Sequence, residues 1–327
     1  MEMEEEFKSR VVGVDLSSDR TTYAIVDIRG RIIASSYFET DKYPDINDYV
    51  SKLTDEIINL VEANGGYGII RSVGISVPSA CDLLGCMVSP PNLPWKGNIP
   101  LAAMMRDRMG LAVALGNDAY VAALGEQVYG SAHGMKNFIV VALSSGTGSC
   151  FFSDGHAHMG FEGFSGELGH ICIENEGRLC GCGSRGCLEA YTGTKGIIYT
   201  AQELMANSDE PSLMRDVEHL SPRIIKECCD KGDALAIETF RRTGEYLGLG
   251  LANYASLVNP QAIILTGGIS HAGKWLLEPT RVSFEKHVFY TMRDRVKILV
   301  SKLDGHERDV LGASVLAWEV PEYSLFK

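Results

Sequence analysis

Residues 10–40, RVVGVDLSSDRTTYAIVDIRGRIIASSYFET, alternate β-branched and polar side chains around two turn signals, SSDR and RG. A two-residue period sends alternate side chains to opposite faces of a sheet, so the stretch reads as three successive strands in a meander. The period then changes. In residues 45–64, DINDYVSKLTDEIINLVEAN, Ile46, Val50, Leu53, Ile57, Ile58 and Val61 recur at helical spacing, behind Asp45 as N-cap and ahead of Gly65 and Gly66 as a stop. A buried-type strand, IIRSVGISVP, comes next, and after the helix-like PLAAMMRDRMG a shorter strand, LAVALG. The order is β-β-β-α-β-α-β.

From Asp118 the pattern begins again with a helix in AYVAALGEQVYG, a strand in NFIVVALSS, the turn GTGS and a strand in CFFSDG. The remainder predicts a long helix over about 232–257, a strand in AIILTGGIS, a helix near 271–287, a strand in VKILVS and a last helix in DVLGASVLAW. A second nucleotide-fold lobe is the natural reading. We expect a small N-terminal lobe, 1–117, on which a C-terminal helix, 306–327, packs back, and a larger lobe, 118–305. No low-complexity linker separates them, so the lobes are expected to meet at a hinge and enclose a cleft, where small-molecule sites tend to lie.

Composition narrows the function classes. A chain of 327 residues exceeds one comfortable core, in keeping with two lobes. No apolar run approaches the roughly 18 residues that cross a bilayer, and the acidic start MEMEEEFKSR is not a signal peptide, so a cytoplasmic protein with no membrane partner is expected. With 30 Lys and Arg against 42 Asp and Glu, the net charge of −12 repels a nucleic-acid backbone. Nine cysteines in a reducing compartment do not make a disulfide framework.

Three of those cysteines point to a metal. His170, Cys180, Cys182 and Cys187 read H-x9-C-x-C-x4-C, one imidazole and three thiols, a complete tetrahedral set for zinc. Four protein ligands leave no open position, so the expected ion is structural. The competing reading is a set of ordinary thiols beside a core histidine. Three cysteines within eight residues, with Gly181, Gly183 and Gly186 permitting tight turns, favour zinc. Glu167 precedes His170 by three residues and Glu189 follows Cys187 by two, so the same ion would aim both carboxylates, and paired acceptors suit the hydroxyls of a sugar. By contrast, Cys228 and Cys229 in PRIIKECCDKG read as packing, and His156 and His158 as surface or turn residues.

The arrangement GELGH…CGCGSRGCLEAY resembles the signature of the ROK (repressor, open reading frame, kinase) family. GISVPSA at 74–80, PPNLPW at 90–95, GNDAYVAALGE at 116–126 and ILTGGIS at 264–270 extend the resemblance over most of the chain. It implies an α/β chain of the actin-like ATPase (ribonuclease H-like) fold, two lobes around an interlobe cleft. It further implies that Asp118 is the general base taking a proton from the attacking sugar hydroxyl, although Asp is also an ordinary helix N-cap. Asn117, Glu167, His170 and Glu189 are then sugar contacts, with His170 offering its second ring nitrogen to a hydroxyl. Asn92 is either a cleft residue or a turn residue between prolines. Ser79 stands where family members usually have glycine, which could narrow the pocket or add a hydrogen bond.

The nucleotide side departs from the family pattern. Family kinases usually carry Asp-x-Gly-Gly-Thr after the first strand, whereas this chain has DLSSDRT. Asp15 is kept and is expected to hold magnesium through water, but Ser17 and Ser18 replace both glycines and Asp19 replaces the threonine. In LSSGTGS, Ser144 and Ser145 replace Gly-Thr while Gly146 and Gly148 remain; Ser145 and Gly146 are the expected phosphate contacts. Gly267 and Gly268 in TGG fit the adenosine loop. The implied function is an ATP- and magnesium-dependent hexose kinase for glucose or an N-acetylhexosamine. The alternative is a sugar-binding regulator with weakened kinase activity. Family repressors carry a helix-turn-helix of several dozen residues before the first strand; ten residues precede Val11 here, so direct DNA binding is not expected. The resemblance also implies a homodimer or homotetramer.

Overall fold

The computed structural model describes residues 8–90, 92–303 and 305–320, and the chain divides into two compact units. The first comprises the chain up to residue 133, residues 159–165 and the chain from residue 302; the second comprises 134–158 and 166–301. Pro91 of PPNLPW, the acidic residues 1–7, and residues 321–327 of the expected C-terminal helix lie outside the described residues.

In the first unit, β1 (Arg10–Leu16), β2 (Arg20–Asp27) and β3 (Ile32–Glu39) form the expected antiparallel meander. Helix α1 (Ile46–Glu62) leads into β4 (Ile70–Val77), parallel to β1. Three two-residue strands, β5 (Ala80–Cys81), β6 (Met87–Val88) and β7 (Asn98–Ile99), make a separate small sheet. Helix α2 (Leu101–Met109) precedes β8 (Ala112–Asn117), parallel to β4, and α3 (Asp118–Val128) follows at once. The main sheet runs β3-β2-β1-β4-β8. Helix α1 forms where its periodicity placed it: Asp45 Oδ1 accepts the amides of Asn47 and Asp48 at 2.7 and 3.3 Å, and Tyr49, Val50, Leu53, Ile57 and Val61 are buried on one face.

The second unit repeats this plan. Strands β9 (Phe138–Leu143), β10 (Thr147–Ser153) and β11 (His156–Ala157) form an antiparallel meander. Helices α4 (Glu189–Thr192), α5 (Thr194–Ala206), α6 (Pro222–Asp230) and α7 (Ala234–Val258) lead to β12 (Ala262–Thr266), parallel to β9. After α8 (Lys274–His287), β13 (Lys297–Val300) runs parallel to β12, so the order is β11-β10-β9-β12-β13. In both units the strands joined by short turns pair antiparallel, and those joined through helices pair parallel, as their connection lengths require. Each unit has its own apolar core.

One expected boundary is corrected. Helix α3 and the residues to 133 belong with the first unit, because α3 packs against the C-terminal helix, Gly305–Glu319. There Gly125 and Gly312 face each other, and a Cβ at Gly312 would overlap the carbonyl oxygen of Val121. The same helix lies on β1 and β4, where a Cβ at Gly13 or Gly74 would overlap the carbonyl oxygen of Val310 or Ala313. Ser72 Oγ donates to Ala317 O at 2.7 Å beside them. Helix α5 and the two-residue strands had no sequence prediction. Helix α5 contains Gly196 and buries only Ile197, Thr200 and Ala201 besides it, and two-residue strands are too short to show a period.

Candidate active site and metal centre

In the first unit the predicted residues gather at the carboxyl ends of the parallel strands β1, β4 and β8, the edge at which open α/β sheets bind ligands. Asp15 is the penultimate residue of β1, Ser79 follows β4, and Asn117 and Asp118 stand where β8 passes into α3. Asn117 is a strut. Its Oδ1 accepts the Ala119 amide at 2.9 Å while its Nδ2 donates to Ser79 O at 3.1 Å, tying the loop after β4 to the start of α3. Asp118 Oδ1 accepts the same Ala119 amide at 2.7 Å, which orients its carboxylate. The Ser79 hydroxyl donates to Ala80 O and Val88 O, each at 3.2 Å, and so serves the local turn. Asn92 is exposed, in a turn.

Burial, with the negative charges of Asp309 and Asp118, pushes the Asp15 carboxyl up to about 7, net of a lowering by the Ser17 hydroxyl and Arg308. Ser17 Oγ donates to Asp15 Oδ2 at 3.3 Å. Asp309 and Arg308 come from the C-terminal helix, where Arg308 grips Asp309 through Nε and Nη2 at 2.6 and 2.9 Å. Neither residue was expected from the sequence, since nothing in RDVLGAS signals a neighbour almost 300 residues earlier. A half-buried carboxyl on which two other acids act is chemically a fit for a divalent cation.

In the second unit the four predicted metal ligands converge. One ligand atom from each of His170, Cys180, Cys182 and Cys187 lies within 4.8 Å of all the others. Cys182 Sγ and Cys187 Sγ are 3.7 Å apart, and Cys180 Sγ is 3.7 Å from His170 Nδ1. A tetrahedral ion with Zn–S bonds of about 2.3 Å requires ligand separations of about 3.5–3.8 Å; those two pairs meet this, and the whole set, within 4.8 Å, needs only a small contraction to fit zinc. The Ser184 amide brings the Cys182 thiol down to about 7, toward the thiolate form a metal binds. His170 presents Nδ1 to this centre and turns Nε2 toward Glu167, whose Oε2 is 3.9 Å away. Burial raises the Glu167 carboxyl above its ordinary value; His170 opposes this and Glu189 adds to it. Glu189 opens α4 directly behind Cys187, with Oε1 3.9 Å from Cys180 Sγ. Its Oε2 accepts the Thr147 amide at 2.9 Å.

The ROK family model matches residues 11–320. The chain belongs to the ROK family. Among curated ROK relatives, the glucokinase of Streptomyces coelicolor is 30% identical over 94% of this chain and 97% of its own length. The xylose repressor of Bacillus spizizenii is 30% identical over 94% of this chain and 77% of its own length. A solved ROK glucokinase from Streptomyces griseus, in complex with glucose and AMPPNP, superposes with a TM-score of 0.80 at 29% identity, covering 95% of this chain and 100% of that one. The fold is accordingly the actin-like ATPase fold, and the two like-ordered sheets are its repeat.

The loops that the family resemblance assigns to the nucleotide sit as follows. Residues 17–19 form the tight turn between β1 and β2, closed by the Ser17 amide on Arg20 O at 2.9 Å, with Ser18 and Asp19 exposed. The loop 144–147 lies at the end of β9, closed by the Ser144 amide on Gly146 O at 3.0 Å, with Ser145 exposed. Gly267 ends the neighbouring parallel strand β12 at φ +86°, where a Cβ would overlap Leu143 O, so only glycine fits; Gly268 faces open space. The two loops therefore share one edge of the second sheet. Sequence reasoning missed Thr147, whose amide is the partner of Glu189. Among the described residues no helix is long and apolar enough to cross a membrane.

Proposed function

We propose that this ROK chain is an ATP-dependent hexose kinase acting on glucose or an N-acetylhexosamine. The observation that carries the reading is the placement of Asp15 and Asp118 at the carboxyl ends of β1 and β8 in one sheet, one a half-buried carboxyl suited to a cation and the other an oriented carboxylate. The identity to glucokinases over nearly the full length supports it. In this reading Asp118 accepts the proton of the sugar hydroxyl as it attacks the γ-phosphoryl group. Glu167, His170 Nε2 and Glu189 bind the other hydroxyls, and Asn117 holds Asp118 in place. His170, Cys180, Cys182 and Cys187 would hold zinc, which would fix the loop that carries those sugar residues. Ser145, Gly146, Gly267 and Gly268 line the nucleotide. Asp15 would hold magnesium, which when bound would supply charge neutralisation to the phosphates.

The test is turnover by purified protein with MgATP across glucose, N-acetylglucosamine and N-acetylmannosamine. Asp118→Asn should lower kcat by about 10²–10⁴-fold with sugar affinity largely kept, the range that general-base removal gives. Comparable activity in that variant would refute the base.

A second reading is a sugar-binding regulator with impaired phosphoryl transfer. It is favoured by the serines and aspartate at 17–19 and by the similarity to a xylose repressor. Measurable sugar binding with no turnover on any sugar of the panel would establish it over the first.

A further inference from the structure

We propose that Glu189 is the positioning residue of the loop 144–147, and that through it sugar binding and nucleotide binding reinforce each other. This rests on the reading of that loop as the phosphate-binding loop. The evidence is geometric. Glu189 Oε2 accepts the Thr147 amide at 2.9 Å, and a Cβ on Gly146 would run into the same oxygen. Gly146 is not among the glycines at positive φ, so no left-handed backbone demands glycine there, and an added Cβ would displace the Glu189 carboxylate from its place against the loop. The loop is anchored on its other side by residues just beyond Glu189, because the Thr194 amide and hydroxyl both donate to Ser144 O, at 3.1 and 2.9 Å. Thr147 Oγ1 lies 2.8 Å from Thr192 Oγ1. Residues 189–194 thus form the seat of the loop, and Glu189 is its charged member.

The consequence follows from where the other oxygen points. Oε1 faces the cysteine and histidine cluster, 3.9 Å from Cys180 Sγ, so one carboxylate spans the metal loop and the nucleotide loop. A sugar hydroxyl donating to Glu189 orders that side chain, and an ordered side chain fixes the Thr147 amide. The loop then loses less freedom when phosphate arrives, which is positive coupling, and linkage makes it reciprocal.

The test uses the full-length protein. Affinity for a non-hydrolysable ATP analogue with magnesium is measured with and without sugar, together with hydrogen exchange of the Thr147 amide. In Glu189→Ala, analogue affinity without sugar should fall about ten-fold, a charged hydrogen bond being lost, and the sugar-induced gain should vanish. The Thr147 amide should exchange faster. Glu189→Gln keeps an acceptor and should restore most of the loop protection. Unchanged Thr147 exchange in Glu189→Ala would overturn the proposal. So would unchanged analogue affinity in that variant. Should the wild-type protein bind no analogue, the kinase reading fails by itself, and the exchange measurement still decides whether Glu189 holds the loop.

Discussion

Gly13 of β1 lies directly beneath Val310 of the C-terminal helix, so close that a Cβ on Gly13 would overlap the Val310 carbonyl oxygen and crowd the Ser314 amide, 3.1 Å away. Backbone meets backbone here, and no rotamer change can relieve an added methyl. Gly13→Ala should therefore cost about 1–3 kcal/mol, the usual penalty of overpacking, read as a lower midpoint in urea unfolding. An unchanged midpoint would mean that the helix shifts without cost.

Asp309 should set the working pH of Asp15. Burial and the charges of Asp309 and Asp118 raise the Asp15 carboxyl to about 7, so in the metal-free protein the folded state holds a proton that the unfolded chain has released. That contribution to stability is complete below the ordinary carboxylate range and is lost as pH rises through about 7. Asp309→Asn removes one like charge and frees Arg308 from its partner, and both changes lower the Asp15 value. The metal-free variant should lose less stability than wild type between pH 5 and 8, and the acid limb of its magnesium-dependent activity should move to lower pH. Coincident pH profiles would rule out the role given to Asp309.

Cys182→Ser removes one of four converging ligands. Zinc content, measured by elemental analysis, should fall from about one equivalent per chain, and sugar affinity should fall with it because Glu167 and Glu189 flank the same loop. Loss of zinc with unchanged sugar affinity would separate the metal from the sugar residues.

Restoring the glycines and threonine at 17–19, as Ser17→Gly, Ser18→Gly and Asp19→Thr together, should raise ATP affinity about five-fold, since it removes an exposed like charge worth up to about 1 kcal/mol near the phosphates. Ser17 Oγ now donates to Asp15, so the variant also frees that carboxylate. No gain in ATP affinity would show that the native turn is not impaired.

Much of this protein was legible in one dimension. The alternation in residues 10–40 and the helical spacing of 45–64 act over a few residues, and β1 to β3 and α1 form where those local patterns put them. The convergence of His170, Cys180, Cys182 and Cys187 was equally open, because three of the four fall within eight residues and only particular side chains suit a metal. Tertiary packing decided the rest. It assigned α3 to the first unit through the contact of Gly125 with Gly312, brought Asp309 to Asp15, and laid Glu189 against the Thr147 amide. Each of those pairs is far apart along the chain, and its partner is a backbone atom or a single side-chain charge. A linear sequence records the identity of such groups but carries no periodic or compositional trace of their approach.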